Sequence, residues 1–135
     1  DTSAAMLERL AAKPELADRV ETVCRDITAE PLAERFDLIV SAMALHHVAD
    51  TPLLLERLAA HLRPGGAVAL ADLDTEDGTF HPPGTEGVYH HGFEREALAG
   101  QMEAAGLEDV RFTTAHTVAG EDRDYPVFLA TARLA

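Results

Sequence analysis

Phe36-Asp37-Leu38-Ile39-Val40-Ser41, then Ala44-Leu45-His46-His47-Val48, then Leu62-Arg63-Pro64-Gly65-Gly66: these three phrases decide how the chain folds. Leu38-Ile39-Val40 is a short, branched, wholly apolar run, which suits a strand buried on both faces of a parallel sheet. Thr51 is a good N-cap and Pro52 is favoured at a first helical position, so a helix is expected to begin there. Leu54, Leu55, Leu58 and Leu62 recur at helical spacing and form an apolar stripe that has to lie against something. Pro64-Gly65-Gly66 is expected to end that helix, and Val68-Ala69-Leu70-Ala71-Asp72-Leu73 is again strand-like. Phe36 to Leu73 therefore reads as one strand–helix–strand unit with a right-handed crossover.

The order and spacing of these phrases resemble the central motifs of class I S-adenosylmethionine-dependent methyltransferases of the small-molecule and quinone type. In that family a strand ends in Ser or Asn, an Ala-Leu-His-His-like loop follows, then a helix, then Leu-Arg/Lys-Pro-Gly-Gly before the next strand. The resemblance extends upstream. Asp1-Thr2-Ser3-Ala4-Ala5-Met6-Leu7 is similar to the segment in which an acidic residue closes the second strand ahead of a helix. Val20-Glu21-Thr22-Val23-Cys24-Arg25-Asp26-Ile27 is similar to the third strand and its terminal acid.

The resemblance implies a Rossmann-like α/β fold and a cofactor site at the carboxyl ends of the strands. Asp1 would accept from the ribose hydroxyls and Asp26 from the exocyclic amine of adenine. The backbone of Ile27 would help fix the ring, and Ser41 would line the methionine portion. The family's first strand and glycine-rich turn are expected to precede Asp1, about 30 residues in all. The chain accordingly reads as a single, incomplete methyltransferase domain over residues 1–135. In the family's sheet order, 3-2-1-4-5-7-6, the missing strands separate the third from the fourth. Their loss is expected to leave the Val20–Asp26 strand unpartnered and to bare the edge of Phe36–Ser41. Bare edges of apolar strands favour pairing between chains, so self-association is expected.

Helices are expected from Thr2 to about Ala12, with Met6, Leu7 and Leu10 on one face, and from Phe93 to Ala105, stopped by Gly106. Val110, Phe112 and Thr114, and then Val127, Leu129 and Thr131, alternate as strands do. They are expected to form an antiparallel pair joined by a turn at Gly120-Glu121-Asp122-Arg123-Asp124.

Composition narrows the partners. A net charge of −13 leaves no basic stripe for phosphates, which argues against nucleic acid. No run approaches the ~20 apolar residues of a membrane span. Cys24 stands alone, so no internal disulfide forms, which fits a reducing cytoplasm.

Between Asp74 and Gly92 lies a long polar segment rich in Gly and Pro. Such segments are functional lids or disordered. In the family this region covers the methyl acceptor, so Phe80, His81, Tyr89, His90 and His91 are candidate acceptor-site residues. His46 and His91 are candidate proton acceptors, a role imidazole suits near neutral pH. His46-His47 equally suits a structural role, holding its loop by hydrogen bonds to backbone. Asp72, Asp74 and the loop histidines match no compact ligand spacing, so no metal is expected. The sulfonium cofactor carries the hard chemistry, and alignment with exclusion of water is the protein's main task. Two other readings stay open: a non-catalytic scaffold and a nicotinamide-nucleotide-binding fragment.

Overall fold

The computed structural model describes residues 1–135. The chain divides into two compact units, Asp1–Leu32 and Ala33–Ala135. No helix is long and apolar enough to cross a membrane.

In the first unit, helix α1 spans Ala4–Ala11, two residues inside the expected start at Thr2 because Ser3 is its N-cap and accepts from Met6 N. None of its residues is buried, and Met6 is 56% exposed. Val20–Asp26 does not form the expected strand. It makes a short pairing with Asp1 instead, whose ammonium donates to Val23 O and whose O accepts from Arg25 N. A strand needs a neighbour along its whole length, and β-branched residues alone do not supply one.

The second unit is a four-stranded sheet with two helices. Strand β1 (Phe36–Ala42) runs parallel to β2 (Leu62–Leu73), joined through a 3₁₀ turn at Leu45–His47 and helix α2 (Thr51–Ala60). Helix α3 (Arg95–Ala104), β3 (Leu107–Ala119) and β4 (Asp124–Leu134) complete it. The order is β1-β2-β4-β3, with β4 antiparallel to both neighbours. The order matches the 4-5-7-6 part of the expected sheet, with the expected antiparallel pair at its end.

Local details differ from the sequence expectation by small, explicable amounts. The N-cap of α2 is Asp50 and not Thr51, because the Asp50 carboxylate accepts from Leu53 N at 3.0 Å. That helix ends at Ala60, before Pro64-Gly65-Gly66. Arg63–Gly66 instead takes up an irregularity in β2, where the register passes from Phe36↔Leu62 to Leu38↔Ala67. Gly65 has φ +78°, and a Cβ on Gly66 would lie 2.9 Å from Arg63 O and 3.1 Å from Asp37 O, so both glycines are required there. Helix α3 begins after its N-cap Glu94, two residues later than expected.

The core lies on one sheet face. Val68 and Leu70 of β2 and Phe128, Ala130 and Ala132 of β4 are buried with Leu54, Leu55 and Leu58 of α2 and Leu98 and Met102 of α3. The deepest β4 positions thus have the opposite parity to the expected Val127, Leu129 and Thr131. As an inner strand β4 is flanked on both edges, so both parities are at least partly covered. At the other end of the sheet β1 is an edge strand, with Leu38 59% and Val40 68% exposed.

Candidate active site at the carboxyl ends of two parallel strands

Asp72 sits near the end of β2, in a run that is otherwise apolar, and is fully buried. A buried carboxylate needs donors. It receives three: His46 N at 3.2 Å, His46 Nδ1 at 2.7 Å and Leu73 N at 2.7 Å. His46 is itself 2% exposed. The pair ties the loop after β1 to the end of β2.

A carboxylate only accepts, so Nδ1 of His46 carries the proton, and in the neutral ring the lone pair is on Nε2. The turn that aims His46 is entered through Met43 at φ 57°, a left-handed conformation unfavourable for this residue type. Met43 is held there by donation from its N to Ala71 O, 2.9 Å, and by packing against Leu73, Tyr125 and Val127.

The expected lid is an ordered loop. Glu76 turns inward, 8% exposed, and its Oε2 accepts from Gly78 N at 2.7 Å and Phe80 N at 3.2 Å. His47 Nδ1 donates to Gly87 O at 2.8 Å. Tyr89 N donates to His46 O at 3.0 Å, and His90 Nε2 donates to Val48 O at 2.8 Å beside Thr51 Oγ1.

These bonds sort the acceptor-site candidates. His81 is brought against His46, with ring centroids 5.0 Å apart, and Phe80 packs on His81 at the same distance. His47 stands 4.1 Å from His46, centroid to centroid. His90 is spent on fastening the loop to the start of α2, and the Tyr89 ring is 60% exposed. His91 lies against Glu76, 3.3 Å away, with its side chain 64% exposed. It is not joined to the His46 cluster by any hydrogen bond. Burial, then the neighbouring His46 and His47, push the His81 pKa down, with Glu76 acting the other way.

Arg95, at the start of α3, is a further inward-held charge. It makes a bidentate pair with Asp74, 2.7 Å for each contact, and donates to Thr114 Oγ1 at 2.9 Å. Its guanidinium is therefore engaged in closing the Asp74 end of the loop.

The expected cofactor residues fall in both units. Ser41 is half-buried at the carboxyl end of β1. In the first unit Asp26 is exposed and its Oδ1 accepts from Thr28 Oγ1 at 2.6 Å and Thr28 N at 2.9 Å. Those bonds hold its carboxyl below the usual range, so it stays an anion and an acceptor. Asp1 Oδ1 accepts from Ser3 N at 2.8 Å. Sequence reasoning missed the partnership of His46 with Asp72. Its signal was an acid inside the apolar run Val68–Leu73, where a lone charge is not tolerated.

The chain is similar to several known proteins. An uncharacterized methyltransferase of Schizosaccharomyces pombe is 34% identical over 87 residues, which is 59% of this chain and 31% of that protein. Trans-aconitate 2-methyltransferase of Deinococcus radiodurans is 44% identical over 70 residues, 52% of this chain and 26% of that protein. The chain thus matches less than a third of the length of either. Among solved structures, the N-methyltransferase NodS of Bradyrhizobium japonicum in complex with S-adenosyl-L-homocysteine superposes with a TM-score of 0.67 at 22% identity. That match covers 99% of this chain and 64% of the other, and it shows a shared fold. A family model described as a methyltransferase domain matches residues 1–111. With this match, this sheet and these motifs, the chain belongs to the methyltransferase domain family, of the class I S-adenosylmethionine-dependent type.

Proposed function

We propose that this domain serves S-adenosylmethionine-dependent methyl transfer to a small-molecule acceptor that carries a removable proton, with His46 as the proton acceptor. The observation that carries the reading is the buried His46–Asp72 pair, 2.7 Å apart, at the carboxyl end of the parallel strands. In the first unit Asp26 is an exposed anion whose carboxylate is suited to an exocyclic amine, with Ile27 next to it, and Asp1 carries a carboxylate suited to a ribose hydroxyl. In the second unit Ser41 lies at a strand's carboxyl end, the place of a residue that lines a bound ligand. When bound, the cofactor supplies a methyl group already activated by its positive sulfur.

The chain's own residues would do the rest. Nε2 of His46 takes the acceptor's proton, while Asp72 keeps the ring oriented and offsets the charge of the imidazolium. The His47 and His81 rings over His46 keep water from it. Since His46 is 2% exposed, an acceptor reaches Nε2 by displacing His81, the half-buried loop residue.

Calorimetric titration with S-adenosylhomocysteine tests the cofactor half. It is run on the protein itself. Saturable binding is expected, with Asp26→Asn weakening it, and His46→Gln is expected to leave binding unchanged while lowering turnover about 10²- to 10⁴-fold. Binding of NADH in place of S-adenosylhomocysteine would overturn the reading.

A further inference from the structure

Linear spacing offers no metal motif, yet the fold gathers three imidazoles. One nitrogen from each of His46, His47 and His81 lies within 4.8 Å of one from each of the others. The ring centroids are 4.1, 5.0 and 5.7 Å apart. Packing of this kind is common to aromatic clusters, so what matters is how the rings are held from behind.

Two of the three are held as metal-ligating histidines are. Nδ1 of His46 donates to the buried carboxylate of Asp72 at 2.7 Å, and Nδ1 of His47 donates to the carbonyl of Gly87 at 2.8 Å. A carboxylate or carbonyl behind the ring fixes the tautomer and raises the basicity of the nitrogen that remains. On both residues that nitrogen is Nε2, in the neutral form a lone pair with no proton. His81 enters from the loop side, where the second anionic group, Glu76, acts on it. The surroundings are thus anionic: Asp72, Glu76 and a chain of net charge −13.

We propose that His46, His47 and His81 form a three-histidine site for a divalent cation of the borderline class, Zn²⁺ foremost, with a fourth position open. Imidazole suits Zn²⁺, Co²⁺, Ni²⁺ and Cu²⁺ and not Mg²⁺ or Ca²⁺, which prefer oxygen. Metal–nitrogen bonds of about 2.0–2.1 Å in a tetrahedron place the nitrogens about 3.4 Å from one another. The nitrogens, all within 4.8 Å of one another, then close by about 1.4 Å or less, with the half-buried loop residue His81 moving most. His46 stays fixed by Asp72. The Nε2 lone pair used here is the one assigned above to the acceptor's proton, so a bound cation and that role exclude each other.

The test reads binding and not turnover, so its outcome is separate from that of the methyl-transfer reading. The chain is titrated with Co²⁺ and followed by ligand-field absorption in the visible, then challenged with Zn²⁺. One Co²⁺ per chain is expected, with the intense bands of a four-coordinate site, all displaced by Zn²⁺. His81→Ala and His47→Ala are each expected to weaken binding at least tenfold. His116→Ala, at an exposed position on β3, is expected to leave it unchanged. Absence of a saturable band overturns the proposal. A band that survives in the His47→Ala/His81→Ala double variant also overturns it, since the cation is then held elsewhere.

Discussion

Replacing Asp72 with alanine is expected to be among the most damaging single changes in the second unit. The side chain is 0% exposed and accepts three hydrogen bonds, from His46 N, His46 Nδ1 and Leu73 N. Each buried donor left without a partner costs about 1–3 kcal/mol. Three such donors make a loss of at least about 3 kcal/mol, a large part of the 5–15 kcal/mol typical of a whole domain. Asn at the same site keeps an acceptor for Nδ1 but turns an amide N–H toward another donor, so about 1–3 kcal/mol is expected. Urea unfolding is the assay, followed by tyrosine emission. The protein has no Trp, and its two tyrosines, Tyr89 and Tyr125, both lie in the second unit. A midpoint shift at constant slope measures the effect. The His46→Ala cycle then isolates the pair, and a coupling above about 1 kcal/mol is expected. An Asp72→Ala loss under about 1 kcal/mol with unchanged slope would refute the claim that this carboxylate ties the two strand ends together.

Three further outcomes are expected. Asp50→Ala removes the N-cap of α2, whose side chain accepts from Leu53 N, and should cost about 1 kcal/mol, visible as a melting point lower by several degrees. The outer edge of β1, with Leu38 and Val40 exposed, is proposed as a self-pairing edge. Sedimentation is expected to show concentration-dependent association that Val40→Lys abolishes while stability stays within about 0.5 kcal/mol, and association that persists in that variant rejects this edge. The third concerns pH. Because the folded protein holds the His81 pKa below the ordinary histidine value, the unfolded chain binds the extra proton first as pH falls. Stability is therefore expected to decline as pH drops through the ordinary value toward the lowered one. His81→Gln should flatten that part of the profile, and an unchanged profile would show that another group titrates.

The strand–helix–strand unit was legible because its signals are local and redundant: an apolar strand, leucines at helical spacing, and a Gly-Gly pair demanded by a positive φ at Gly65 and a close backbone approach at Gly66. The antiparallel pair at β3 and β4 was legible for the same reason, with alternation on both sides of a turn. Val20–Asp26 misled because strand formation is a tertiary property, and its residues carry the propensity without the neighbour. The site was half legible. His46 and Ser41 are fixed by their place at the end of β1, which motif order gives. That His81 meets His46 depends on the course of the Asp74–Gly92 loop. Single contacts direct that course, Glu76 to Gly78 and Phe80, His90 to Val48, and Tyr89 to His46, none of which has a linear signature. The same course withdraws His90 from the cluster and turns His91 to Glu76.

The placement of β4 has a consequence for synthesis. The ribosome makes β2 and β3 first, yet neither touches the other in the finished sheet, because β4 lies between them. Until β4 emerges, β2 has an open edge, and Asp72 lacks its register partner, the buried Phe128. A nascent chain halted before Asp124 would hold every residue of the histidine cluster and still expose its carboxylate to solvent. Assembly of the site is therefore a late event in translation, governed by a strand that contributes no functional side chain to it.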